Sequence, residues 1–386
     1  MKGLIYMSNN NLANAKRAKN DEFYTQFNDI EAELTAYYEY NHEVFRNKII
    51  LMPCDDPEWS NFVRLFATNF KRYGIKALIS TSYANSGTSD KLTAIEKNSP
   101  YYDAEKHQTR GKLFVMTGDM NGDGKIDSDD VSFQKYLQGD GDFRSDEVTR
   151  LRDEADIIVT NPPFSLFREF VKWIMEGKKK FIIMGNVNAI TYKEIFPLIK
   201  NNQIWGGTCF NKTMEFRLVD SAPKWDHIEK VQTPAGIHEY KVGKVPAITW
   251  FTNLDHGMRH EKMILDTMAN NLRFNKSLRK RLAKYGDLNH YPKYDNYDAI
   301  EVPMAKCIPS DYDGVMGVPI TFLGKYNPEQ FEIICQAAGN SYSNTPKEIL
   351  EKLHFDPSVK YGGGLGAGVI NGKAVYARIL IKHKKN

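Results

Sequence analysis

The sequence predicts an α/β fold, a mostly parallel, doubly wound sheet followed by a smaller C-terminal region, and two observations predict it. Short apolar runs such as Asn47–Met52 (NKIILM), Asp156–Thr160 (DIIVT) and Lys180–Met184 (KFIIM) alternate with stretches of helical periodicity. That is the rhythm of strand–helix–strand units whose strands are buried on both faces. Beyond Asn253 the rhythm gives way to a basic helical stretch and then to a segment, 290–322, rich in Tyr, Asp, Pro and Gly.

The elements follow in order. Residues 1–20 are polar and basic, with Lys16, Arg17 and Lys19 and no apolar period, and predict a flexible arm. Ile30–Tyr40 suits a helix. Asn47–Met52 is a buried strand, and Pro57–Phe70 a helix with Asp56 as N-cap and Pro57 in its first turn. Lys76–Thr81 (KALIST) and Lys112–Met116 (KLFVM) are the next strands. Asp156–Thr160 leads to a helix over Ser165–Glu176, and Lys180–Met184 to one over Thr191–Lys200. Met214–Val219 and Val245–Thr252 are expected to form a closing hairpin, and Arg259–Tyr285 to be helical. Gly362–Gly368 (GGGLGAG) has no strand before it and is expected to be a loop, not a nucleotide-binding turn. The division expected is an arm (1–20), a catalytic domain (21–253) with an acidic insertion at 117–138, and a C-terminal recognition region (254–386).

Composition narrows the class. An apolar fraction of 41% and an aromatic fraction of 12% fit a packed globular protein. Cys54, Cys209, Cys307 and Cys335 lie far apart with no C-x-x-C pair, which argues against a disulfide framework or zinc knuckle and for a reducing cytoplasm. No signal peptide or membrane span is expected. The net charge is only +4, but it is unevenly spread: residues 119–156 hold twelve acidic and five basic side chains, whereas 271–285 hold six basic side chains and no acid. One surface suits phosphates and another a cation, although each segment also suits a plain solvated face.

The residues that carry chemistry follow the strand Asp156–Thr160: Asn161-Pro162-Pro163-Phe164. Two prolines stiffen the loop at the carboxyl end of a parallel strand, where open α/β sheets bind ligands. Asn-Pro-Pro alone also describes an ordinary β-to-α turn; the apolar strand before it and the aromatic after it set this one apart. Such a rim suits methyl transfer to a planar amine. The lone pair of an adenine N6 is delocalised into its ring and is a poor nucleophile. Two fixed acceptors, the Asn161 side-chain oxygen and the Pro162 carbonyl, would grip both amine hydrogens and aim the lone pair at a methyl donor, by orientation and electrostatics alone. Phe164 offers a face for stacking on an extruded base, worth roughly 1–3 kcal/mol. Upstream, Asp142 and Phe143 in Gly139–Ser145 (GDGDFRS) suit an adenosine, the carboxylate accepting from its amine and the ring packing on its purine. In the Pro53–Phe62 segment, capping by Asp56 would leave Asp55 free to hold an ammonium group.

Two further segments stand out. Asp119, Asn121, Asp123, Lys125 (through its carbonyl), Asp127 and Asp130 fit a twelve-residue calcium loop with glycine at the sixth position. Val131–Gln138 would be its exiting helix; the competing reading is an acidic hairpin tip. Arg259, Arg273, Lys276, Arg279, Lys280, Arg281 and Lys284 form a basic stretch suited to nucleic-acid phosphates.

Taken together, several segments resemble the EcoRI family of adenine-specific DNA methyltransferases. They are Asp21–Gln26 (DEFYTQ), Cys54–Pro57 with Ser60–Phe62, GDGDFRS, Thr160–Glu169 (TNPPFSLFRE) and Asn186–Lys200. Tyr291–Ile300 (YPKYDNYDAI), Gly314–Leu323 (GVMGVPITFL), Asn327–Phe331 and Arg378–Lys382 (RILIK) complete them. The resemblance implies a Rossmann-like methyltransferase sheet of seven, mostly parallel strands, S-adenosylmethionine as methyl donor and a specific site in duplex DNA as acceptor. It implies that Asp21, Tyr24 and Thr25 lie over the methionine end of the cofactor, Asp55 and Asp56 in the first-strand loop, Asp142 and Phe143 at the adenosine, and Asn161–Phe164 at the target base. A separately acting restriction endonuclease and a monomeric enzyme are also expected. Residues 335–370 fall outside the resemblance. The rival readings are a methyltransferase acting on an RNA base or a protein glutamine amide, and a noncatalytic calcium-dependent binding module. A zinc deaminase is excluded because His227-Ile228-Glu229 lacks a following P-C-x-x-C.

Overall fold

The computed structural model describes residues 24–58, 60–84, 99–218, 226–233, 236–286, 288–339, 341–359 and 366–384. The arm, Asp21 and most of GGGLGAG lie outside them. The chain divides into two compact units, Met1–Asn186 with Lys212–Leu254, and Val187–Asn211 with Asp255–Asn386. The linear expectation had kept 187–211 in the catalytic domain; those residues belong with the C-terminal unit.

The first unit is built on a twisted sheet of β2 (Ile49–Met52), β3 (Ala77–Thr81), β4 (Lys112–Met116), β5 (Ser132–Tyr136), β6 (Ile157–Thr160), β7 (Lys180–Asn186) and β12 (Ile248–Thr252), ordered β5-β4-β3-β2-β6-β7-β12. Strands β3, β2, β6 and β7 are parallel, with Leu51 opposite Ile79 on one side and Ile158 on the other. Their residues are almost entirely buried, which is why they read as unbroken apolar runs. Because β3 lies on one side of β2 and β6 on the other, the order reverses at β2, the position at whose carboxyl ends open α/β sheets bind ligands.

Around the sheet, α1 (Phe27–Tyr40) buries Ile30, Leu34 and Tyr37 at helical spacing. Helix α2 (Asn61–Thr68) is capped by the Ser60 hydroxyl, which accepts from the amides of Phe62 and Val63. The expected start at Pro57 with an Asp56 cap is thereby corrected: Ser60 accepts from two orphan amides, and Asp56 is drawn to Lys112 instead. The short α3 (Phe70–Tyr73) stops at Gly74 in the left-handed region. Ser145 caps α4 (Asp146–Glu154), and α5 (Phe167–Glu176) buries Phe167, Phe170, Val171, Trp173 and Ile174.

Two strand expectations change. Strand β4 runs antiparallel to β3 and continues into β5, also antiparallel. Residues 132–136, expected as the exiting helix of a calcium loop, are therefore a partly exposed edge strand. The expected closing hairpin does not form. Strand β12 pairs with β7, while β9 (Met214–Leu218) joins a second sheet with β1 (Tyr24–Thr25), β10 (His227–Thr233) and β11 (Gly236–Val245), ordered β1-β9-β11-β10. The polar segment between the two predicted strands is itself a long hairpin.

In the second unit, helix α6 (Phe196–Lys200) is shorter than predicted, preceded by a 3₁₀ turn over Val187–Thr191; β8 (Trp205–Gly206) follows. A sheet ordered β13 (Ile300–Glu301), β14 (Met316–Pro319), β18 (Arg378–His383) and β15 (Phe331–Ala337) forms its core, with the RILIK residues in a central, buried position. The basic stretch forms α7 (Met268–Phe274) and α8 (Lys276–Leu282). Helix α9 (Lys347–Lys352) and β16 (Val369–Ile370) lie in the segment outside the resemblance, and β16 pairs with β17 (Lys373–Ala374) just beyond it. Leu353, Ile370 and Cys335 share a core with Tyr294, Tyr297 and Leu380, so this segment is packed into the unit. Glu301, fully buried, is held by a bidentate Arg378 and by the hydroxyls of Tyr294 and Tyr285.

Candidate active site

Strand β6 ends at Thr160, and the chain turns through Asn161, the buried Pro162, and Pro163 at φ −60 and ψ 120. A 3₁₀ turn, Phe164–Leu166, closes when the Leu166 amide donates to the Pro163 carbonyl at 2.9 Å, and α5 starts at once. Asn161 is half-buried with its Oδ1 shielded from water, and Phe164 is half-buried beside it in sequence. The loop thus stands at the carboxyl edge of the sheet, next to the point of reversal, with almost no torsional freedom at its two prolines.

Across from it, the loop after β2 is held by Asp55, only 7% exposed. Its Oδ1 accepts from the Ser60 hydroxyl at 2.7 Å and its Oδ2 from the Thr160 hydroxyl at 2.5 Å. Its backbone carbonyl accepts from the Ser80 hydroxyl, and its amide donates to the Thr81 carbonyl. Asp55 thus accepts from two hydroxyls, so its carboxylate is not the unpartnered group that the sequence suggested. Asp56 pairs with Lys112 at 2.9 Å, and Glu58 reaches the same ammonium at 2.5 Å. Burial drives Asp56 above the usual carboxylate range despite that cation. For Lys112, burial pulls its pKa down, but the two acids outweigh it and the ammonium keeps its proton.

The third wall is the GDGDFRS loop. Gly141 has φ +88, and a Cβ there would lie 2.2 Å from the Ser82 carbonyl oxygen; only glycine lets this loop close on the end of β3. The Ala84 amide donates to the Asp140 carbonyl at 2.6 Å. Asp142 forms a two-pronged pair with Arg144 at 2.9 and 2.5 Å, and that guanidinium holds its carboxyl below the ordinary value. Phe143 is 3% exposed and packs edge-on against Phe170 and Trp173, centroids 4.9 and 5.5 Å away. Its ring belongs to the core beneath the edge. The aromatic ring that reaches outward is Tyr83, 39% exposed, two residues past the end of β3 and hydrogen-bonded to Asp140. Burial and that neighbouring acid raise its hydroxyl. Sequence reasoning passed over Tyr83; the signal available was an aromatic just beyond a strand's carboxyl end. An outward ring beside two carboxylates, Asp140 and Asp142, fits an adenosine.

Tyr24 and Thr25 pair through the backbone with Arg217 and Phe216 of β9 and form an edge strand of the second sheet.

The acidic tip joins two antiparallel strands. Asp119 accepts from the amides of Gly122 and Gly124, Asn121 from that of Asp123, and Asp123 from that of Lys125. Asp127 accepts from the amide of Asp129, and Asp130 from those of Met120, Asn121 and Asp127. Among the described residues no group of three or more His, Cys, Asp or Glu side chains is placed to hold a metal ion. The exiting helix is a strand and the acids close the tip on its own amides, so the calcium expectation gains no support and the hairpin-tip reading describes the segment.

On α7 and α8, Asn271, Leu278 and Leu282 are buried, while Arg273, Lys276, Arg279, Lys280, Arg281 and, beyond the helix, Lys284 are exposed. Phe274 projects among them at 65% exposure, with the Arg273 guanidinium 5.0 Å above its ring. Arg259 differs from the rest of the stretch: its guanidinium lies 3.6 Å over Trp205 and bonds Asn202. It is spent on packing within its unit, not on an outward face.

The profile of the family described as "Adenine-specific methyltransferase EcoRI" matches residues 11–384. This chain belongs to that family. The type II methyltransferase M.EcoRI of Escherichia coli is 41% identical over 380 residues, 98% of either chain. The type II methyltransferases M.MgeORF184P of Mycoplasma genitalium and M.MpnI of Mycoplasma pneumoniae are 35% and 34% identical, each over 96% of this chain and 98% of their own. No solved structure matches. The protein is a site-specific, adenine-specific DNA methyltransferase using S-adenosylmethionine, with the Rossmann-like α/β fold of such enzymes. A noncatalytic calcium module is thereby set aside. The match also runs through residues 335–370, which the resemblance had left out. No helix among the described residues is long and apolar enough to cross a membrane.

Proposed function

We propose that the enzyme methylates N6 of an adenine turned out of duplex DNA and seated on the Asn161–Phe164 rim. The observation that carries this reading is a proline-braced Asn-Pro-Pro-Phe turn at the carboxyl edge of β6, beside the reversal of strand order. Asn161 Oδ1 and the Pro162 carbonyl accept the two amine hydrogens and draw the nitrogen towards a tetrahedral shape; Phe164 stacks on the base. S-adenosylmethionine supplies a methyl carbon bound to a positively charged sulfur. Asn161 and Pro162 would hold the N6 lone pair towards that carbon, so that the new N–C bond would form as the C–S pair returned to sulfur and one N6 proton left to water. Tyr83 and Asp140 take the adenosine end, and the family resemblance assigns Asp21, Tyr24 and Thr25 to the methionine end. The exposed cations of α7 and α8 take DNA phosphates, which position the duplex without reading its bases.

The same reading makes the enzyme the protecting half of a restriction–modification pair, working as a monomer in the cytoplasm beside a separate endonuclease. The test is to sequence plasmid DNA from cells expressing the protein, with modified-base detection. N6-methyladenine at one recurring motif is expected; unmodified adenine throughout, with methyl groups on RNA or protein instead, would overturn the reading.

A further inference from the structure

We infer that Thr160 is a positioning residue that, through Asp55, sets the distance between methyl donor and target amine. The inference rests on the assignment of Asn161–Phe164 to the target base. Two loops must be registered for methyl transfer: the one after β2, at the cofactor, and the one after β6, at the adenine. One buried carboxylate joins them. Asp55 Oδ2 takes the hydroxyl of Thr160, the residue immediately before Asn161, and Oδ1 takes that of Ser60, which also caps α2. The strands below do not make this link alone, because β2 and β6 pair only through Ile50–Ile157 and Leu51–Ile158, short of Thr160.

A carboxylate is a costly group to bury for packing alone. Its value here is directional: two short bonds from opposite sides fix both loops to one small group. Methyl transfer needs the nitrogen, carbon and sulfur nearly in line, and a displacement of about 1 Å can lower the rate by roughly a hundredfold. Removing the Thr160 hydroxyl frees the Asn161 side of the link while Ser60 still holds the cofactor side.

The experiment uses the full-length protein with Thr160→Val, Thr160→Ser and Asn161→Ala. Thr160→Cys, which keeps the volume but donates weakly, is carried alongside in case the valine variant does not fold. Affinity for S-adenosylhomocysteine is measured by calorimetry, the thermal midpoint by melting, and the single-turnover rate as labelled methyl incorporated into unmodified plasmid DNA. In Thr160→Val or Thr160→Cys, affinity is expected to stay within about threefold of the parent while the rate falls by roughly 30-fold or more. Thr160→Ser is expected to restore the rate to within a few fold. A parental rate in the valine or cysteine variant, with Asn161→Ala inactive, would overturn the inference and leave the site assignment standing. So would parallel losses of affinity and rate, which would make Thr160 a part of the cofactor pocket alone. A fully active Asn161→Ala would overturn the site assignment, and the inference with it.

Discussion

Asp142 and Tyr83 show how much of the chemistry at the carboxyl edge depends on which way a side chain turns. Asp142 spends its carboxylate on Arg144, and its folded pKa is depressed. The stabilisation from that fork is complete above the unfolded carboxylate range, about pH 4, and vanishes as pH falls through the depressed value. Melting curves of Asp142→Asn and the parent are therefore expected to differ by a constant shift from pH 8 down to about pH 5 and to converge in acid. Tyr83 presents its ring outward where Phe143 does not. Tyr83→Ala is expected to weaken S-adenosylhomocysteine binding by about 5- to 20-fold, in line with the loss of one stacked ring. Phe143→Ala, by contrast, should lower the thermal midpoint, because it empties a core position against Phe170 and Trp173. Calorimetry and melting on both variants would show whether the two rings divide these tasks. An acid followed by an aromatic is visible in a sequence; the direction in which that aromatic turns is not, since it depends on α5, more than twenty residues downstream.

Among the elements, the central strands were legible because burial on both faces leaves them unbroken runs of Ile, Leu, Val and Met. Strand β5 was not. SFQKY sits at an edge, half in water, and its polar residues next to a calcium-like spacing imitate the start of a helix. Strands β10 and β11 escaped for a similar reason: His227, Lys230 and Glu239 are exposed, and so polar a run looks like a loop. At α2, Pro57 after Asp56 imitates a helix start, but the Ser60 hydroxyl reaches two amides and fixes the real one. The basic stretch was readable as charge, yet charge alone did not separate Arg259, stacked on Trp205, from Arg279 on an exposed helix face. Arg279→Ala is expected to reduce the slope of log binding constant against log salt by about one. Arg259→Ala should leave that slope unchanged and lower the thermal midpoint. DNA-binding titrations over a range of salt, run on both variants, decide this.

For the whole molecule, the alternation of strands and helices gave the fold class, and the Asn-Pro-Pro-Phe turn carries the proposal for the place of the reaction. The division of the chain was harder to read, because residues 187–211 sit in the middle of an α/β rhythm and yet fold with the C-terminal unit. No local signal marks such a return; it is decided by which core Ile190, Ile195, Phe196 and Ile199 enter. A fragment ending at Leu254 is expected to be poorly soluble and to bind a hydrophobic dye strongly, since it carries those side chains without the core that buries them. A well-behaved, dye-negative fragment would show that the first unit needs nothing from the second.

Because the backbone passes from one unit to the other after Asn186, again after Asn211 and a third time after Leu254, the second unit is not a cassette that can be cut at one seam. A chimera that exchanges the second unit between relatives must transplant two separate stretches at once. Natural recombination at a single crossover would join mismatched halves of one core. Lineages of such enzymes should therefore vary the second unit by point changes more readily than by shuffling.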